Sequence, residues 1–412
     1  MPKEMKKGQV AFLTGTHVVN DLYQGAVPAL LPFMMLERGY SYSAVAGITL
    51  AATGLSSVVQ PAFGMLVDRK SRNWLVPTGF VTAAAGIVVA AMSTTYIVTW
   101  LAIAVAGIGI AAYHPPATNL ARAAGGHSQK AMSVFSVGGT LGASLAPPFV
   151  TLVVGSLGLS GGYLLAVPAV VAAIWWMVAQ SRSANTGAAE SAQSLSAQLA
   201  ANGPVSDDWR SFTRLVLVTV CWSIPYVTTL SLVSPFVLNA LNGSSSSAAI
   251  VLSSFTLAGA AGTLLGGVLA DRRGRRASIR LGYLLAVPSL ALLAAAPHVA
   301  VAELGIVCLG FAMFLPFAPQ VTLAQDYLPN RPGTASGVTL GLAMSVGGHR
   351  ISAVRLPGRS LRTAHGDRGD NCSAVRRRRH RIHLARSTTR PGRRDGARTG
   401  RHRPSINRKT AP

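Results

Sequence analysis

The chain is short of charge. Only 12% of its 412 residues are Asp, Glu, Lys or Arg, against roughly 25% in a soluble globular domain. Acidic residues are scarcer still, 13 against 37 basic ones, and there are three cysteines. Cys221, Cys308 and Cys372 have neither metal-ligand nor redox spacing, and two of them lie in apolar segments, so no disulfide framework is expected. Walker loops, dinucleotide-binding glycine fingerprints, metal-ligand spacings and nucleophile elbows are all missing. These gaps disfavour an ATP-driven pump and a membrane-bound enzyme. No cofactor and no metal is expected.

What is present is apolar. Hydrophobic residues make up 50% of the chain, and the mean hydropathy is +0.40. Apolar runs near the roughly twenty residues that one helical crossing of the hydrocarbon needs recur along it. The expected fold class is an all-α membrane protein. Spans are read at about 9–36, 44–67, 74–92, 96–113, 131–155 and 161–179. Further spans follow at 212–238, 245–270, 279–296 and 299–317, and an eleventh is begun at 333–348. Lys3, Lys6 and Lys7 before an apolar run resemble a signal peptide. That run is long, holds His17 and Asp21, and lacks a clean cleavage site, so it reads as the first span.

One motif occurs twice. Gly64, Asp68, Arg69 and Arg72 close the second span, and Gly267, Asp271, Arg272 and Arg275 close the eighth at an offset of 203 residues. A repeat at half-chain distance in an apolar protein means two structural halves. At that offset Gly107 falls on Gly310, Pro116 on Pro319 and Ser133 on Ser336. The organisation read from it is a six-span half over 1–180 and a polar linker over 181–208. The second half, over 209–348, ends in a partial eleventh span. The glycines allow close helix approach. The aspartates are placed to accept hydrogen bonds from a helix start or from arginine, fixing helix ends within a half.

Positive charge sets the orientation. With the N-terminus inside, 17 of the 18 Lys and Arg in residues 1–348 are cytoplasmic, and only Arg38 is outside. Residues 349–412 depart from this pattern, with 19 basic residues and 3 aspartates, and no twelfth span follows. This tail is expected to be disordered. It reads as the product of a frameshift in a GC-rich coding sequence, with no function of its own. A reading from another class is a non-transporting remnant whose basic tail binds acidic partners. Nucleic acid is not expected as a partner.

The chemistry sits in the first span. His17, Asn20, Asp21 and Gln24 share one helix face at spacings of three and four. Asp21 is the only acidic residue of residues 1–348 well inside a predicted hydrocarbon core. An ionisable group there is a functional candidate by default, and desolvation disfavours its charged form, which suits proton uptake and release. A polar cluster that merely joins helices is the competing reading. His114 precedes Pro115 and Pro116, where proline is expected to end the fourth span. Ser136 to Pro148 gives the fifth span a face of small residues.

The stretches Gly15–Gln24, Val59–Gly64, Gly107–Pro115, Phe135–Gly139 and Leu145–Pro147 resemble the fosmidomycin-resistance branch of the major facilitator superfamily. The resemblance spans residues 9–348 and implies a twelve-helix secondary transporter that exports small molecules, antibiotics included, in exchange for protons. It points to the polar cluster of the first span and to His114 for coupling and substrate contacts. The expected function is proton-coupled efflux of small antibiotic-like molecules by a monomer in the inner membrane. An uptake symporter for sugars or organic acids is the alternative within transport. Sequencing the DNA beyond the codon for Gly348 is expected to find an apolar segment of spanning length in another frame; its absence from both would refute the frameshift.

Overall fold

Hydrocarbon offers backbone N–H and C=O groups no partner, so a chain that crosses it bonds to itself as helix. The computed structural model describes residues 5–70, 72–126, 128–184 and 206–350, and no strand occurs among them. Most of the expected linker, and the tail beyond Arg350, lie outside the described residues. The first half comprises α1 (Lys7–Arg38), α2 (Tyr42–Arg69), α3 (Leu75–Met92), α4 (Tyr96–Gly125) and α5 (Gln129–Leu157). A 3-10 helix (Leu159–Ala166) then leads into α6 (Val167–Ala184). The second half holds α7 (Trp209–Asn239), α8 (Ser245–Arg273), α9 (Arg275–Ala294), α10 (Val299–Phe314), α11 (Phe317–Tyr327) and α12 (Pro332–Arg350). Among the described residues, nine helical stretches are long and apolar enough to cross a membrane. The polar α1 is not one of them.

Two boundaries differ from expectation. The fourth span does not stop at His114: α4 runs on to Gly125 with Pro115 and Pro116 inside it. Each proline removes one helical hydrogen bond, but His114, Pro115, Pro116 and Ala117 are all buried among neighbouring helices. In that setting leaving the helix would strand further backbone groups, so the helix persists. The tenth span likewise continues past its expected end as α11, after a break at Leu315 and Pro316.

Each half has its own core. In the first, Leu13, Tyr23, Phe80, Tyr113, Phe135 and Trp176 meet; in the second, Trp222, Phe255, Ile306, Met313 and Phe314. Lipid tails are as apolar as leucine, so close packing and polar bonds, rather than a hydrophobic force, must join such elements.

The repeated aspartates join the halves. Asp68, at the end of α2, accepts hydrogen bonds from the backbone N–H of Gly333 (2.6 Å) and Thr334 (2.7 Å) at the start of α12. Asp271, in the last turn of α8, accepts from the N–H of Gln129 (2.7 Å) and Lys130 (3.0 Å) at the start of α5. Each carboxylate thus meets the positive end of a helix dipole in the opposite half. The expectation that they fix helix ends within one half is corrected. Glycine makes the approach possible: a Cβ on Gly333 would lie 2.6 Å from the Gly64 carbonyl and 2.8 Å from Asp68 Oδ1. Of the motif's arginines, Arg275 pairs with Asp326, which also takes Arg122 from the first half. Arg69 and Arg272 are exposed, and the Nε of Arg72 is buried without a partner.

The repeat also exposes an asymmetry. On α3, Ala84 and Ile87 are 3% and 0% exposed in the core that α6 helps to close, but their counterparts on α9 at the 203-residue offset, Val287 and Leu290, are 72% and 40% exposed. With Leu217, Val218 and Trp222 of α7 they line an apolar groove of about 380 Å³. No described helix covers it as α6 covers α3.

Replacing Asp68 with alanine leaves the first N–H groups of α12 unbonded. Bonds to a charged acceptor are worth about 1.5–3 kcal/mol, so Asp68→Ala is expected to lower the thermal midpoint of the detergent-solubilised protein by several degrees. Asp68→Glu should recover part of that loss. An unchanged midpoint would mean that the cap contributes nothing.

Candidate functional site

The polar face of α1 meets α4 and α5 inside the first half. Asp21 stands between two histidines. Its Oδ2 lies 3.4 Å from His17 Nε2, one helical turn away, and its Oδ1 lies 3.5 Å from His114 Nε2 on α4. The three side chains are between 8% and 14% exposed. Asn20, wholly buried, donates from Nδ2 to Asp21 Oδ1 at 3.0 Å and lies 3.3 Å from His114 Nε2. The structure therefore brings His17, Asn20, Asp21 and His114 together. Gln24 is half-buried on the same helix and forms no hydrogen bond to the cluster.

Helix α5 orients this group. His17 Nδ1 is 2.8 Å from the carbonyl oxygen of Phe135, and the two rings stack at 4.3 Å. A carbonyl only accepts, so Nδ1 carries a hydrogen and donates it. In neutral His17 the Nε2 that faces Asp21 is then a bare lone pair. A bare nitrogen facing a carboxylate is two acceptors in opposition, so a hydrogen bond between them requires a proton, on either Asp21 or His17. Two polar atoms beside this pair, Asn20 Oδ1 and His114 Nδ1, are buried without partners.

The space for the carboxylate comes from glycine. A Cβ on Gly139 would collide with Asp21 Oδ2 and lie 2.7 Å from His17 Nε2. Gly138 and Gly142 let α5 pack against the α1 backbone at Thr14 and Val18. Tyr113 stacks on His17 at 5.7 Å, and its hydroxyl is 3.0 Å from Thr16 Oγ1. The small-residue face of the fifth span was legible in sequence, but its role in seating Asp21 was not. The Phe135 carbonyl carries no side-chain signal at all.

The sequence pattern of the Major Facilitator Superfamily matches residues 13–348. The chain belongs to that superfamily. Its members are transporters, not enzymes. The chain is 29% identical over 348 residues to the uncharacterized MFS-type transporter YfnC of Bacillus subtilis, covering 82% of this chain and 83% of that one. It is 29% identical over 351 residues to the fosmidomycin resistance protein of Escherichia coli, covering 83% and 84%. In fold it is similar to a variant of the E. coli fucose:proton symporter FucP, with a TM-score of 0.65 at 15% identity over 85% of this chain and 91% of that one. It is also similar to the human organic anion transporter MFSD10, with a TM-score of 0.66 at 16% identity over 85% and 94%.

Overpacking a close helix contact costs about 1–3 kcal/mol. Gly139→Ala is expected to lower the thermal midpoint measurably. Gly155→Ala, where the nearest neighbour of a new Cβ is 3.6 Å away, should not. Equal midpoints for the two variants would show that α5 yields at Gly139 without cost.

Proposed function

We propose that the protein exports small antibiotic-like molecules in exchange for protons, acting as a monomer in the inner membrane. The observation that carries this reading is the Asp21–His17 contact, whose hydrogen bond needs a titratable proton inside a helix bundle. An intramembrane carboxylate held by histidines is the kind of group proton relays use. The export of an antibiotic-like compound is supported by similarity to the fosmidomycin resistance protein. A cytoplasmic N-terminus, with both aspartate caps on the same side, is supported by the basic loops, which hold 17 of the 18 cations of residues 1–348.

In this mechanism Asp21 takes a proton from the external side, and the bound proton neutralises the Asp21–His17–His114 cluster. Substrate entering from the cytoplasmic side favours proton release, and the halves rock about the site between the two steps. Asn20 holds the carboxylate in place, and Phe135 fixes the His17 tautomer. In the second half, Tyr226 of α7 stacks on Trp222 at 4.8 Å.

Asp21→Asn keeps the shape of the side chain and removes the titratable proton. In everted membrane vesicles the variant is expected to lose drug-dependent proton movement at least tenfold while protein levels stay unchanged. Movement at the wild-type rate would remove Asp21 from the mechanism. Counterflow assays with the same vesicles read the direction of transport.

A further inference from the structure

We propose that His17, Asp21 and His114 form a binding site for a divalent transition-metal ion of the zinc class, which arrests transport by taking the proton's place. The arrest rests on the proton-site reading above, whereas the binding does not.

The geometry carries the binding. Ligands about 2.0–2.2 Å from a tetrahedral zinc stand about 3.3–3.6 Å from one another. The distances from His17 Nε2 to Asp21 Oδ2, 3.4 Å, and from His114 Nε2 to Asp21 Oδ1, 3.5 Å, both fall in that interval, so the carboxylate presents one oxygen to each imidazole. With one ligand atom from each residue, the three lie within 4.8 Å of one another, so modest side-chain rotation brings them to one ion. Both histidines turn Nε2 toward the common centre. The outer shell is in place as well. A metal-bound histidine characteristically donates its other ring N–H to a carbonyl or carboxylate, as His17 Nδ1 does to Phe135. Asn20 steadies the carboxylate, and its buried, unpartnered Oδ1 stands beside the cluster as an acceptor for a metal-bound water.

The donor set selects the ion. Two imidazole nitrogens and one carboxylate suit Zn²⁺, Co²⁺ and Ni²⁺, whereas Mg²⁺ and Ca²⁺ favour oxygen-only sites. The third ligand comes from α4, 93 residues after Asp21, so no spacing rule applied to the sequence finds the site. An ion bound at all three groups would pin α1 to α4 and occupy the acceptors between which the proton moves.

The test is a titration of the purified full-length chain with Co²⁺, read by its visible absorption, followed by displacement with Zn²⁺. The expected result is one tetrahedral Co²⁺ per chain with the three cysteines changed to serine, which excludes thiol ligation. Asp21→Asn and His114→Gln should each weaken the affinity at least tenfold. Their thermal midpoints identify a variant that has merely unfolded, and the isosteric Asp21→Asn then stands as the deciding one. No tetrahedral spectrum, or equal affinity in the folded variants, overturns the site. In vesicles Zn²⁺ should abolish proton movement with wild-type protein. Binding without that arrest overturns the regulatory role and leaves the proton-coupling experiment untouched.

Discussion

Asp68 sits in the first half and caps α12 of the second, and Asp271 sits in the second half and caps α5 of the first. This exchange of carboxylates is the constraint on which the arrangement of the halves depends. Between apolar helices in lipid no hydrophobic force selects one packing over another, so the selection falls to polar bonds with defined geometry. A helix start supplies several aligned N–H groups and a positive dipole end, and a carboxylate satisfies both at once. The bonds form only where the backbones touch, which is why Gly64 and Gly333 lie directly beside the Asp68 cap. Arg122 and Arg275 add a second link by sharing Asp326 across the halves. Hydrogen bonds from Gln325 to Asn119 and from Thr322 to Gln129 gather at the same end.

The same economy of small residues builds the polar site. Helix α1 carries His17, Asn20, Asp21 and Gln24 through a region where each unpaired polar group is costly. It is tolerable there because α5 approaches at Gly138, Gly139 and Gly142 and offers a backbone carbonyl to His17. Stability and chemistry therefore share residues. The glycine that lets α5 pack also leaves the volume in which the carboxylate meets its histidine.

Much of this was legible in the order of residues, and the reasons for the remainder are physical. The spans, the two halves and the one-sided charge follow from hydropathy and repetition, which are properties of local sequence. The face shared by His17, Asn20 and Asp21 follows from helical spacing. Two prolines after His114 signal a helix end, because in water the lost hydrogen bonds stop the helix. Inside a bundle the alternative to a strained helix is worse, and α4 continues past it. The partners of Asp68 and Asp271 lie across the halves, and sequence contains no record of which helix start lies opposite. The Phe135 carbonyl was invisible because a backbone acceptor is common to every residue.

The unequal halves place the polar cluster and the apolar groove apart. Asp21, His17, Asn20 and His114, with Phe135 and Gly139 behind them, all belong to the first half, whose α6 covers α1 and α3. Trp175 of α6 lies in edge contact with Phe12, 4.6 Å between ring centres, and within 3.2 Å of a Cβ placed on Gly15. The geometry of the polar cluster is therefore set within the first half. In the second half the equivalent position over α7 and α9 is the apolar groove, lined by Val218 where the first half has Gly15. The polar cluster thus rests on a covered half, while the half that carries the groove is tied to the first by the caps at Asp68 and Asp271.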